Sequence, residues 1–338
     1  MIEQVKSFEY HVGGQPVRVI VEGVPVPQGT TQAQKSAWFG KHADRYRRGV
    51  VLPPRGHHDM TAVLLTEASS PGAHAGLVFL DASGYPRLAT HGVMAAVTAA
   101  IEHGLIFARD AAGPGGHFVF DTPAGLVRAR TAESDDAGSG QLFVEAVPAF
   151  VHTPACKVVL PGRTVIADLA FGGEFYALVD GEAAQVPLDE EHVPELRRLG
   201  RAVCAAVNAS LAVTHPEDPS LGGVAGTIFT GPARDEGAHL RSVAVSASGT
   251  VDWSPSGGGM TAVLAVLDAM GLLEGASAFA NEGLSGTVMS GRVVSRTSVG
   301  DRPALVVEIA GDAWATGAQT WLFDHDDPFR QGVPATSR

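Results

Sequence analysis

Two stretches of this chain carry residue types suited to holding a small anion, and they repeat one another 167 positions apart. The first runs from Ala89 through Thr90, His91 and Gly92 to Gly104 and Leu105. The second runs from Ser256 through Gly257, Gly258 and Gly259 to Gly271 and Leu272. In each, a glycine-containing loop leads into an apolar, alanine-rich segment long enough for about three helical turns. Glycine just past a helix end adopts the left-handed conformation cheaply, so Gly104 and Gly271 mark equivalent C-termini. The spacing predicts helices that begin near Gly92 and Gly259. Neither has a clean polar face, so both are expected to be buried. The start of such a helix presents amide N–H groups with no intrahelical acceptor, together with the positive end of the dipole. Both attract an anion. Two such ends, one per half, would grip a single carboxylate from two sides of a shared cleft.

Single residues near these loops add candidate chemistry. His91 titrates in the useful range, although an orienting or packing role accounts for it as well. Thr90 reads as a helix N-cap, its hydroxyl accepting a free N–H. His57-His58-Asp59 invites a metal reading, but adjacent histidines chelate poorly together, and no metal is expected. Cys204 falls within a predicted helix and reads as a buried small hydrophobe. Cys156 has nothing near it in sequence to activate a thiol.

Several elements must position these residues. Val17–Val21 reads as an early strand after the Gly13-Gly14 turn, and Leu77–Leu80 as a buried strand feeding the first loop. Residues 31–48 are polar and helix-prone, and the run Arg45-Tyr46-Arg47-Arg48-Gly49 reads as a solvated helix end. Residues 131–141 form a polar turn near the expected domain boundary. A helix is predicted over 194–210, where Leu196, Leu199, Val203 and Val207 share one face. Strands are expected at Gly226–Phe229 and Ser242–Val245. Strands interleaved with few helices, in duplicate, predict an α+β protein. At 338 residues, with 45% hydrophobic residues, 41 Gly and 21 Pro, the chain has the size and turn content of two domains. A net charge of -12 argues against nucleic acid or an anionic membrane as partner. Two cysteines exclude a disulfide framework, and the opening residues lack a signal-peptide core, so a cytoplasmic protein is expected.

Ordered motifs then give the chain a family resemblance almost end to end. His11-Val12-Gly13-Gly14-Gln15-Pro16 resembles the opening His-Thr-Gly-Gly-Glu-Pro of the proline racemase family. Pro54-Arg55-Gly56-His57-His58-Asp59-Met60 resembles its Pro-Arg-Gly-His-x-Asp-Met. Phe171–Ala177, Gly226–Pro232, Ser290–Val293 and Asp326–Phe329 are similar to further family segments. The family includes proline racemases, hydroxyproline epimerases and trans-3-hydroxy-L-proline dehydratases. The resemblance implies two pseudo-symmetric diaminopimelate-epimerase-like halves, each with strands around a central helix and the active site in the cleft between them. The expected halves are residues 1–148 with 313–338, and 149–312. No cofactor is implied, the implied partner is proline or hydroxyproline, and a homodimer is left open.

Family members place one cysteine thiol on each side of the substrate Cα, in Met-Cys-Gly-His-Gly and in Asp-Arg-Ser-Pro-Cys-Gly-Thr-Gly-Thr. The matching positions read Leu88-Ala89-Thr90-His91-Gly92 and Asp252-Trp253-Ser254-Pro255-Ser256-Gly257-Gly258-Gly259-Met260. Ala89 and Ser256 therefore replace both thiols. By analogy, the backbone around Ala89, Thr90, His91, Gly92, Gly257 and Gly258 holds the carboxylate, and Asp252 meets the ring ammonium. Ser246, Trp253 and Met260 hint at a remodelled pocket. A methyl group accepts no proton, and a serine hydroxyl is a poor base unless activated. Racemisation needs an acid/base on both faces of Cα, whereas dehydration of a hydroxyproline needs one base and a proton for the departing hydroxyl. Three readings follow: a dehydratase-like lyase using Ser256 with His91 or a water, a non-catalytic binder, and an isomerase with other bases. Elimination fits better than racemisation.

Overall fold

The computed structural model describes residues 2–106, 115–133, 141–273 and 278–333. Two compact units emerge: Met1–Val144 with Gly311–Arg338, and Glu145–Ala310. The first contains β1 (Ile2–Val12), β2 (Gln15–Glu22), α1 (Gln32–His42), α2 (Asp44–Val51), β3 (Thr61–Thr66) and β4 (Ala75–Leu80). There follow α3 (Thr90–His103), β5 (His117–Thr122), β6 (Gly125–Thr131) and, at the boundary, β7 (Leu142–Glu145). The second contains β8 (Phe150–Leu160), β9 (Arg163–Phe171), β10 (Phe175–Asp180), α4 (Val193–Ser210), β11 (Val224–Gly231) and β12 (Leu240–Ser246). It continues with α5 (Gly257–Ala269), β13 (Phe279–Glu282), β14 (Val288–Val299) and β15 (Arg302–Gly311), after which β16 (Ala313–Asp324) returns to the first unit. Residues 134–140 of the polar turn lie outside the described residues.

The architecture is α+β and internally duplicated. In the first unit the strand order is β16-β1-β2-β3-β4-β5-β6. Its pairings run antiparallel, antiparallel, parallel, antiparallel, parallel, antiparallel. In the second, β8-β9-β10-β11-β12-β13-β14 repeats that succession. The central helix follows the fifth strand of this succession each time, α3 after β4 and α5 after β12. Both are buried over most of their length, as their lack of a polar face requires.

A loop-to-strand latch is duplicated as well, one in each unit. His74 Nδ1 accepts the Val119 N–H at 2.8 Å, while the His74 N–H donates to the Val119 carbonyl. His239 does the same with Ala280, Nδ1 accepting at 2.9 Å. Asp121 accepts the N–H groups of Ser69 and Ser70, and Glu282 accepts those of Arg234 and Asp235. The latches tie the β3–β4 and β11–β12 loops to β5 and β13.

The predicted helix over 194–210 is α4, and Leu196, Leu199, Val203 and Val207 are all buried. The helix-prone stretch 31–48 behaves differently from its reading as a solvated end. It breaks at Ala43 into α1 and α2, and α2 runs on through Gly49 to Val51. Gly49 is a packing residue, because a Cβ there would lie 2.1 Å from the Phe323 ring. Arg47 is buried, bonded to Asp44 at 2.6 Å and to the Asp81 and Ala82 carbonyls. Apolar periodicity does not reveal a guanidinium that folds inward to satisfy loop carbonyls. Among the described residues no helix is long and apolar enough to cross a membrane.

Candidate active site

Both central helices begin two residues before the expected glycines, because Ala89 and Ser256 adopt extended cap conformations. At the first helix Ala89 is the N-cap, buried, with no side chain to close the turn. Thr90 is the first helical residue and does not cap, which corrects the sequence reading. Its hydroxyl is buried and finds no hydrogen-bond partner among the described residues. His91 is 7% exposed, with Nε2 3.2 Å from the hydroxyl of Thr61, the first residue of β3. That contact fixes the ring and favours the orienting role. Gly92 lets α3 close onto β4, since a Cβ there would meet the Phe79 ring at 3.0 Å.

At the second helix Ser256 is a true cap, its Oγ accepting the Gly259 N–H at 3.3 Å. None of Gly257, Gly258 and Gly259 has positive φ; Gly258 and Gly259 are small because the surroundings approach closely. A Cβ on Gly258 would lie 2.9 Å from both the Gly172 carbonyl and Tyr176 Oη. A Cβ on Gly259 would lie 2.8 Å from Ile228. The β9–β10 turn at Gly172-Gly173 thus presses on the first turn of α5. Gly257 and Gly258 keep their amides at a helix start where the side-chain cap serves only Gly259, leaving an anion-receptive end.

Asp252 precedes this helix, its N–H donating to the Ala244 carbonyl at 3.0 Å. Its carboxylate lies within electrostatic reach of Tyr176, whose phenol is pushed well above its ordinary range. Burial is the main cause, reinforced by the charges of Glu174 and Asp252. Tyr176, which the sequence reading did not single out, lies against the start of α5, its hydroxyl 2.9 Å from where a Cβ on Gly258 would stand. Its segment matched the family, but its destination depends on the β10–β11 register.

Other expectations resolve differently. Ser246 does not make the pocket more polar, because its Oγ bonds Ser248 Oγ at 2.7 Å and accepts the Thr250 N–H at 2.9 Å. Met260 is wholly buried, packed where Gly291 has no side chain. His57 Nδ1 accepts the Asp59 N–H at 3.2 Å, which closes its own loop. Arg55 of the same motif clamps the chain end, pairing with Asp327 at 2.7 Å and donating to the Leu322 and Phe329 carbonyls. Two family-like segments thereby serve structure. Cys204 is buried, its thiol pushed up to about 11 by burial, in agreement with a core role.

Comparison with known proteins bears on this geometry. The family model described as Proline racemase matches residues 8–334. A trans-3-hydroxy-L-proline dehydratase of Burkholderia cenocepacia is 37% identical over 329 residues, covering 97% of each chain. A 3-hydroxyproline 2-epimerase of Burkholderia multivorans is 36% identical with the same coverage. Among solved structures, a hydroxyproline epimerase from Agrobacterium vitis with bound trans-4-hydroxy-L-proline superposes with a TM-score of 0.89. It is 28% identical, covering 99% of this chain and 96% of that one.

Proposed function

Because the chain belongs to the proline racemase family, we propose that it binds a proline-like imino acid and eliminates water from a 3-hydroxyproline. The observation that carries this reading is the asymmetry of the two helix caps. One end offers a hydroxyl, Ser256, and the other only the methyl of Ala89. Elimination asks for one base at Cα, whereas inversion asks for a competent group on each face. Ser256 is the base in this reading, His91 assists proton transfer, and the first-turn amides with Gly92, Gly257 and Gly258 hold the carboxylate. Those amides stabilise the charge that moves onto the carboxylate as the Cα proton leaves. Asp252 meets the ring ammonium. A second reading, binding without chemistry, draws on Ser256 already being engaged as the cap of α5. Cys156 and Cys204 form no disulfide, which suits a reducing compartment such as the cytoplasm.

Incubation with proline and the hydroxyproline isomers in D2O, followed by NMR, separates the readings. Loss of the C3-hydroxyl signal from a 3-hydroxyproline is the expected result. Deuteration at Cα without net change would replace elimination with an isomerase reaction. No change in any imino acid would leave binding alone.

The same reading includes a homodimer, joined through β16. Among the described residues this strand has a neighbour, β1, on one side only, and Trp314–Thr320 are exposed on both faces. Ala313–Thr320 contains no charge and no proline, although the chain carries -12. The outer strand of the second unit is guarded in the usual way, β8 carrying Pro154, Lys157 and two register shifts. An uncharged edge pairs with its own copy about a twofold axis without repulsion. Light scattering should give a dimer, and Thr316→Lys with Ala318→Lys should give a monomer. A natural monomer at micromolar concentration, or a dimer that survives both lysines, would rule this edge out.

A further inference from the structure

The two helix starts differ in the origin of their polar side chain. In the first unit it comes from the helix: His91, the second residue of α3, reaches Thr61 on β3. The equivalent position at the 167-residue offset is Gly258, the second residue of α5, which has no side chain. The strands supply the difference. Val17 of β2 pairs with Thr61 of β3, and at the corresponding place Tyr176 of β10 pairs with Gly226 of β11. Where the first unit has threonine and histidine, the second therefore has two glycines, and the Tyr176 ring occupies the space of both. A Cβ on Gly226 would lie 3.3 Å from that ring, and a Cβ on Gly258 would lie 2.9 Å from its hydroxyl oxygen. The second-motif threonine of the family falls at position 258, so a side chain there and the Tyr176 hydroxyl exclude one another.

Resting on the elimination reading above, we propose that Tyr176 is the second unit's counterpart of His91. Its phenol is a hydrogen-bond donor to the substrate ring at the α5 N-terminus, and it protonates the C3 hydroxyl as that group departs. Ser256 and Gly258 stand two positions apart at the same helix start, and Tyr176 lies against the second of them. Asp252, the group that meets the ring ammonium in this reading, acts on Tyr176 electrostatically. Burial and the two neighbouring carboxylates keep the phenol in its donor form. In the step itself the base takes the Cα proton, and the released electron pair forms the C2=C3 bond as the C3–O bond breaks. The phenol's proton goes to the departing oxygen, which leaves as water. Solvent then returns a proton to the phenolate and accepts the one held by the base. The products are a cyclic enamine carboxylate and water, and no redox partner is needed.

Tyr176→Phe tests this, because phenylalanine keeps the ring packed between Gly226 and Gly258 and removes only the hydroxyl. Calorimetry with trans-3-hydroxy-L-proline and with L-proline reads the contact directly, since proline has no hydroxyl to receive it. The variant should bind the hydroxylated ligand about tenfold more weakly and proline within about twofold of the natural protein. Elimination should fall about a hundredfold or more. Equal weakening for both ligands would reduce Tyr176 to a packing residue, and no change for either would remove it from the site. If the natural protein binds both ligands and dehydrates neither, the elimination reading falls, while the affinity contrast still decides the contact. If it binds neither, both fall.

Discussion

Ala89→Cys combined with Ser256→Cys is expected to give α-proton exchange on proline or 4-hydroxyproline at least about a hundredfold faster than the natural chain. Both substitutions fall on N-caps of buried central helices, so each new thiol sits at the positive end of a dipole that lowers its pKa. Ala89 makes no cap bond, so replacing it removes no hydrogen bond. Ser256 caps Gly259 over a long 3.3 Å bond, and exchanging it for cysteine should cost no more than about 1 kcal/mol. Ala89→Cys alone should give exchange without efficient racemisation, because only one face of Cα regains a strong base. Deuterium incorporation followed by NMR and chiral chromatography reads both quantities. A double variant that folds, binds an imino acid and exchanges nothing would mean that more than the thiols has changed, and the family's inversion chemistry would then have no foothold here.

Much of the site was legible because helix starts and stops are local. Gly104 has φ 61° and Gly271 φ 72°, the left-handed geometry their positions predict. The 167-residue offset aligned Ala89 with Ser256 before any strand was placed, and both prove to be N-caps. What stayed hidden depends on long-range register. Tyr176 reaches α5 through the β10–β11 pairing, whose register shifts between Phe175 and Tyr176 and sets Tyr176 opposite Gly226. The His74 and His239 latches were invisible to the 167-residue offset, since the two histidines stand 165 positions apart and their partners Val119 and Ala280 stand 161 apart. Ser246 misled because a polar residue near a pocket was read as facing it, whereas its hydroxyl closes the turn to Thr250. Arg47 misled in the opposite sense, its charge being satisfied by Asp44 and the Asp81 and Ala82 carbonyls in place of water.

The duplicated latch predicts unequal costs for what looks like one substitution made twice. Glu282→Ala should destabilise the second unit by about 3–5 kcal/mol, the range for removing one partner of a buried ion pair. Glu282 and Arg241 are 3% and 4% exposed and directly bonded, and Arg241 also donates to the Leu188 and Leu284 carbonyls. Losing the carboxylate leaves that guanidinium buried with carbonyl partners alone, and frees the Arg234 and Asp235 amides as well. Asp121→Ala removes the equivalent amide contacts to Ser69 and Ser70, yet among the described residues Asp121 bonds no buried arginine. Its cost should be nearer about 1.5–3 kcal/mol. Native-state hydrogen exchange at β13 and β5 reads the two units separately, so the comparison does not require the whole chain to unfold as one. Arg241→Met added to Glu282→Ala should recover part of the loss, because the orphaned charge goes with it. Equal losses at the two latches, or no recovery in the double variant, would show that amide capping and not the buried charge dominates at β13.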